Sequence, residues 1–260
     1  MSASHAFRDG ESRVSGGEGG GVNHRTLRWC VWAGPAFTVL FAIGFWPLAG
    51  FVPPPAPSLT PSEVAAAFLT DGTRVRLGLQ LCMVASALFF PFAAVMSVHI
   101  KRIEGQYSPL AYAQLAAGCG STMVFLFPLM NMQSAAYRAD RAPELVQAIS
   151  DMAWIPFVGL LCVPMMQNIC LALAIFADTG SAKVFPRWLG YFNLWVGASY
   201  IPAVLLVFVH GGPVAWDGLF SWWLGAFAFF VWILVMTPML LRAGRQLPSN
   251  PGLISHGHRP

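Results

Sequence analysis

Between Phe127 and Glu144 the chain reads FPLMNMQSAAYRADRAPE, and its polar side chains have the chemistry to hold a ligand. Asn131, Ser134 and Arg138 recur at three and four residues and would share one helical face; Gln133, Tyr137 and Arg141 share the next. Amides orient a polar group by hydrogen bonds, and a guanidinium grips a carboxylate, phosphate or carbonyl. Residues of the same kind stand at the corresponding ends of neighbouring apolar runs. These are Arg76 with Gln80 one turn below, Asp151, His210 and Asp217, with Trp46, Trp154 and Trp216 at the same level. In a compact bundle Arg76, Gln80, Asn131, Gln133, Arg138, Asp151, His210 and Asp217 would converge on an outward-facing polar vestibule. A second reading stands beside the first: Trp, Tyr and Arg gather at membrane interfaces as anchors, and exposed Arg–Asp pairs only tie loops together. Depth favours a site, because Gln80, Asn131 and Gln133 lie inside the apolar boundary, where an anchor gains nothing from an amide.

The composition dictates the solvent around those residues. The 260-residue chain is 56% hydrophobic and 10% charged, with 20 Phe and 10 Trp. Its mean hydropathy is +0.60. A soluble domain carries about a quarter charged residues, so this chain has too little polar surface for water. The formal charge of +4 forms no basic stripe, which excludes nucleic acid as a partner. Membrane lipids, a lipophilic small molecule or another membrane protein are the partners that fit. Arg outnumbers Lys by 13 to 2 in an Ala-, Gly- and Trp-rich chain, the usage of a GC-rich bacterial gene.

Six apolar runs, at 29–52, 77–99, 109–137, 152–176, 188–209 and 219–241, each suffice for the ~20 residues a helix needs to cross ~30 Å of hydrocarbon. Ten-residue alternating segments of a β-barrel are absent. The expected fold is therefore an all-α bundle of six transmembrane helices over 29–241. A flexible N-terminal tail (1–28, with SGGEGGG at 15–21) precedes it, and a C-terminal tail (242–260) follows. The first run is too long for a signal-peptide core and fits a retained span. Eleven Lys and Arg fall on the side of the termini and four on the other, which predicts a bacterial inner-membrane protein with both termini cytoplasmic.

Two outer connections carry helix signals. TPSEVAAAFLTDG begins with Thr60, Pro61 and Glu63 in capping-box order, with Gly72 placed to end the turn; APELVQAIS places Pro143 early and Leu145 and Ile149 four apart. Both read as short amphipathic helices on the outer surface, or as plain connectors. Every run holds a proline (Pro35 and Pro47, Pro91, Pro128, Pro164, Pro202, Pro238); kinks at proline can open a cavity in a bundle, and proline is also simply commoner in membrane helices whatever their role. Ala113, Ala116, Ala117 and Gly120 suit close packing of the third span.

Catalytic signatures are missing: there is no H-E-x-x-H, Walker loop, G-x-S-x-G or dinucleotide glycine pattern. No cofactor is implied. The histidines nearest to a haem pair, His99 and His210, belong to opposite membrane faces, and His256 and His258 are only a weak tail pair. Cys30, Cys82, Cys119, Cys162 and Cys170 lie in apolar runs without C-x-x-C spacing, so they predict neither a disulfide framework nor a zinc site. No Asp, Glu, Lys or Arg occupies the middle of a run, which argues against a proton pump. The amides Gln80, Asn131, Gln133, Gln167, Asn168 and Asn193 are the polar groups at depth, and Gln167–Asn168 reads as interhelical glue.

The segments VFPRWLGYFNLW (184–195), GPVAWDG (212–218) and ADRAPELVQAISDMAW (139–154) resemble a group of uncharacterised bacterial multi-pass membrane proteins over about 29 to 245. The resemblance implies a six-helix inner-membrane fold and no activity. Three functions fit the residues. The first is binding or facilitating passage of a lipophilic molecule with a polar group, held by Arg76, Arg138 and His210. The second is an accessory subunit docking through its outer polar ends. The third is acid–base chemistry by Asp151, His210 and Asp217, for which no nucleophile or metal constellation is present.

Overall fold

The computed structural model describes residues 23–247, so the glycine-rich stretch 15–21 and the pair His256 and His258 lie outside the described residues. Among the described residues there is helix and loop but no strand. The order is α1 (His24–Ile43) with a π-helical turn (Gly44–Leu48), α2 (Pro61–Leu69), α3 (Gly72–Ser86), α4 (Phe89–Glu104), α5 (Pro109–Tyr137) and α6 (Pro143–Gly159). There follow α7 (Cys162–Ala177), α8 (Arg187–Ser199) with a 3₁₀ helix (Ile201–Phe208), and a π-helical turn (Leu219–Trp223) leading into α9 (Leu224–Arg245). Grouped by continuity they give six stretches long and apolar enough to cross a membrane: His24–Leu48, Gly72–Glu104, Pro109–Tyr137, Pro143–Ala177, Arg187–Phe208 and Leu219–Arg245. The protein is a multi-pass, all-α membrane bundle.

Proline position explains where these spans break. A proline removes its own N–H and presses on the carbonyl four residues earlier. Pro91, Pro164 and Pro202 each follow an interruption by about one turn. Helix α3 stops at Ser86 before α4 resumes at Phe89, α6 stops at Gly159 before α7, and α8 gives way to 3₁₀ geometry after Ser199. Pro47 lies inside the π-helical turn that ends the first span. Pro35, Pro128 and Pro238 instead sit within uninterrupted helices, so proline marks a break only where neighbouring packing lets the ladder open.

The ends are tied by local hydrogen bonds. Asn23 caps α1 by accepting from the backbone N–H groups of Arg25 and Thr26. The Glu104 carboxylate accepts from the Leu110 N–H at 3.0 Å and the Ser108 hydroxyl at 2.7 Å, putting an anion at the N-terminus of α5. On the face opposite the termini, called distal below, Thr60 and Glu63 form the capping box of α2. Helix α2 is a packed cap, with Val64, Ala65 and Phe68 buried and Phe51–Phe68 ring centroids 4.9 Å apart. Gly72 opens α3 and does not close α2, which ends at Leu69. The second expected surface stretch, from Pro143, is the first two turns of α6 and continues into the fourth span.

Span one crosses span two where two glycines face each other: a Cβ on Gly44 would stand 2.6 Å from the Gly78 carbonyl oxygen, closer than any real Cβ contact. On α5 the close-packing face is Gln114, Ala117, Gly118 and Ser121, and Gly120 lies so near Val163 that a Cβ would stand 2.7 Å from it, while Ala113 and Ala116 point outward. An aromatic column runs through the centre. Phe37, Phe41 and Phe45, four residues apart on α1 and its π-turn, meet Phe125 of α5, Phe157 of α6 and Phe229 of α9 at 5.3–6.4 Å between ring centroids.

Candidate functional site

Three of the eight polar residues singled out in the sequence are joined by hydrogen bonds. Arg76, Gln80 and Gln133 meet: the Gln133 Nε2 donates to the Arg76 carbonyl at 3.0 Å and toward the Gln80 Oε1 at 3.4 Å. With Thr73, Leu77, Met83 and Met130 they line an open groove of about 510 Å³ between α3 and α5. The Arg76 guanidinium is already engaged there, donating to the carbonyls of Gly72 and Tyr137 and to the Thr73 hydroxyl. Asn131 turns back on its own helix and donates to the Phe127 carbonyl at 3.0 Å.

Arg138 lies just past the end of α5, exposed, with its guanidinium 5.9 Å from the Tyr137 ring centroid. The helical extrapolation therefore stops short of it. Arg141 folds back to donate to the Ser134 carbonyl. Asp151 lies on α6, and His210 follows the 3₁₀ helix. Asp217 is half-buried in the loop before α9. Of the three tryptophans placed at this level, only Trp46 is well exposed. Trp216 donates to the Pro55 carbonyl at 2.8 Å and Trp154 is fully buried.

The enclosed space is elsewhere, and sequence reasoning missed it. A cavity of about 410 Å³ lies between the first, third, fourth, fifth and sixth spans. Eleven of its twenty-one lining residues are aromatic and none is Asp, Glu, Lys, Arg or His. Phe41, Phe45, Phe125, Phe157, Trp222 and Phe229 form its walls, and the exposed Trp46, Trp223 and Phe227 form its rim. The rim residues belong to the π-turn after α1, the π-turn before α9 and α9 itself. These helices touch closely nearer the termini, where a Cβ on Gly244 would strike the Leu27 side chain. The π-turn that begins the last span packs instead on α6 and the 3₁₀ helix. A sequence signal did exist: Phe37, Phe41 and Phe45 recur every four residues, and Trp222 and Phe229 every seven. The volume matches a small-molecule pocket, and its chemistry admits an apolar body without stabilising a charge.

Of the deep amides, Asn193 and Gln167 join neighbouring helices, while Asn168, expected to do the same, bonds within its own. Trp232 Nε1 donates to the Asn193 Oδ1 at 2.9 Å, and Asn193 Nδ2 donates to the Leu189 carbonyl at 2.7 Å, so α8 is joined to α9. The Ser97 hydroxyl donates to Gln114 between α4 and α5, and Ser121 donates to Gln167 at 3.2 Å between α5 and α7. Asn168 donates to the Pro164 carbonyl at 2.9 Å. The glue reading of Gln167 agrees with this geometry. The five cysteines are unpaired, and no group of three His, Cys, Asp or Glu able to hold a metal occurs among the described residues. Searched against known proteins, the chain matches no family model, no curated protein and no solved structure.

Proposed function

We propose that this multi-pass protein binds, or eases the passage of, a lipophilic small molecule in a bacterial inner membrane, with both termini in the cytoplasm. The observation that carries the reading is the 410 Å³ aromatic cavity with a rim of exposed Trp46, Trp223 and Phe227. A fully packed bundle would have filled that volume, since voids in a core cost contacts. The membrane and its orientation rest on the excess of Lys and Arg on the side of the termini. In this reading the apolar body of the ligand occupies the cavity, and the Arg76, Gln80 and Gln133 groove is an outward-facing polar place separate from it.

One observation favours a second reading, an accessory subunit of a membrane complex: Gln80 is exposed between the exposed Leu77 and Met130. An amide on a lipid-facing surface gains from a partner's hydrogen bond. Site-specific photo-crosslinking in the native membrane separates the two. A benzoylphenylalanine in place of Phe227 is expected to capture a small molecule, and one in place of Gln80 to capture no polypeptide. The reverse pattern would replace binding with docking.

A further inference from the structure

The open groove between α3 and α5 is polar at its distal end and apolar below. Span two begins at Gly72 and span three ends at Tyr137, which puts Thr73 and Arg76 at the distal level. Gln80 and Gln133 follow, joined at 3.4 Å, and Met83 and Met130 lie about one turn deeper on their helices. Donors remain at each polar level. A guanidinium has five N–H groups, and Arg76 uses three, on the Gly72 and Tyr137 carbonyls and the Thr73 hydroxyl oxygen. These bonds hold the fork in place and leave two N–H groups for a ligand. The Gln80 Oε1 accepts from Gln133, while its Nε2 has no partner among the described residues.

Charge is concentrated at the same place. The Lys and Arg residues of the distal face are Arg74, Arg76, Arg138 and Arg141, and all stand at the start of α3 or just past the end of α5. Asp71 lies 3.8 Å from Arg74, and Asp140 and Glu144 share the connection that holds Arg138 and Arg141. One positive charge is left over, and Arg76 forms no ion pair among the described residues.

We propose that this groove holds one glycerophospholipid of the distal leaflet, with its phosphate on Arg76 and an ester carbonyl on the Gln80 amide N–H. The proposal is separate from the aromatic cavity, and it supplies the partner that the exposed Gln80 lacks. The order of side chains selects the class. Cation and hydroxyl come first, then amides, then thioethers, which is the order of phosphate, ester and acyl chain in a leaflet. Arg76 and Gln80 are four residues apart, about 6 Å along the helix, a separation that the glycerol between phosphate and ester can span. A partner helix is met instead by small residues that let backbones approach, and this groove is walled by long, flexible ones. Because the groove is open, its lipid exchanges with detergent, so occupancy is read in a bilayer.

The full chain in phosphatidylcholine nanodiscs is photolabelled with two dilute probes, a phosphatidylglycerol and a diacylglycerol carrying the same diazirine acyl chain. Labelling of the peptides around Met83 and Met130 is measured against that of α8, whose Tyr191 and Leu194 are also exposed. The phosphatidylglycerol should favour the groove about tenfold over the diacylglycerol, the worth of one hydrogen bond to a charged group. Arg76→Gln should remove that preference. Met130→Trp fills the groove without removing a hydrogen bond and should abolish the groove labelling with Tm unchanged, so it carries the test even where Arg76→Gln loosens α3 from α5. Ala226→Trp, in the aromatic cavity, should alter neither result. Equal labelling by both probes in wild type would show annular lipid only and overturn the proposal, as would groove labelling that survives Met130→Trp. Loss of labelling in Ala226→Trp would move the lipid to the cavity and also overturn it. A polypeptide captured in native membranes by benzoylphenylalanine in place of Met130 would give the groove to a partner subunit. None of these failures touches the cavity reading, which has its own test.

Discussion

Asn193 shows how a polar residue at depth is used once the helices around it are known. Both halves of its amide are satisfied, by the Trp232 indole N–H at 2.9 Å and the Leu189 carbonyl at 2.7 Å. Replacing Asn193 with Leu leaves the indole N–H without its acceptor and should destabilise the bundle by about 1–2 kcal/mol. The double variant Asn193→Leu, Trp232→Phe should recover part of that loss, since both polar ends are then gone. Reversible unfolding in mixed micelles measures both; a double variant that simply adds the two losses would contradict the pairing. Asn193 was legible in the sequence as an amide in an apolar run, whereas its partner, thirty-nine residues away, was not. The same holds for the site. Arg76, Gln80 and Gln133 could be picked out by type, but the residues that line the cavity read in the sequence only as aromatics of apolar runs.

At the scale of elements, caps and breaks follow from local chemistry and so were largely readable. The capping box at Thr60 is the plainest case. Glu63 has its pKa lowered from the ordinary 4.5, first by the hydrogen bond from the Thr60 hydroxyl and then by that from the Thr60 backbone N–H. A folded pKa below the unfolded one means the stabilisation is fully present above the unfolded value and is lost as pH falls through the folded value. Amide exchange in α2 should therefore quicken, relative to its intrinsic rate, as pH falls below about 4.5, with little change above it. Glu63→Gln should flatten that profile. A wild-type profile already flat in that range would contradict the capping role. Gly78 belongs to the same scale, because a side chain there would push span two off span one at Gly44. Gly78→Val should cost about 1–3 kcal/mol in the same unfolding measurement, and a neutral result would contradict the crossing. Proline content was visible throughout, yet which prolines interrupt a helix depended on packing. Pro128 and Pro238 leave their helices whole.

For the whole molecule, six apolar runs gave the number and order of the spans, because hydrocarbon thickness sets their minimum length, although the fourth span begins at Pro143 and not at 152. The arrangement of the spans around the bundle was hidden for a physical reason. Lipid and protein interior are both apolar, so the side of a helix facing lipid carries the same residues as the side facing its neighbours. On α5 the exposed Phe127 and Met130 alternate with the buried Val124, Leu129 and Met132, with no polarity to separate them. The eight-residue vestibule was built on a guess about that arrangement, and the aromatic cavity needed the arrangement to be seen at all. Orientation is open to a direct check: Ser181→Cys should be labelled by an impermeant maleimide only from the cytoplasmic side, and Gly211→Cys only from the other. The opposite pattern would reverse the orientation proposed from the basic residues.

The central claim is that the cavity holds a lipophilic small molecule, and native mass spectrometry on protein gently extracted from its own membrane tests it most directly. The wild-type chain should carry a discrete small added mass on 28.2 kDa. A variant with Ala226→Trp, which fills the cavity from its lining, should run without that mass while remaining folded. A bare wild-type monomer, or an adduct that survives Ala226→Trp unchanged, would contradict the claim.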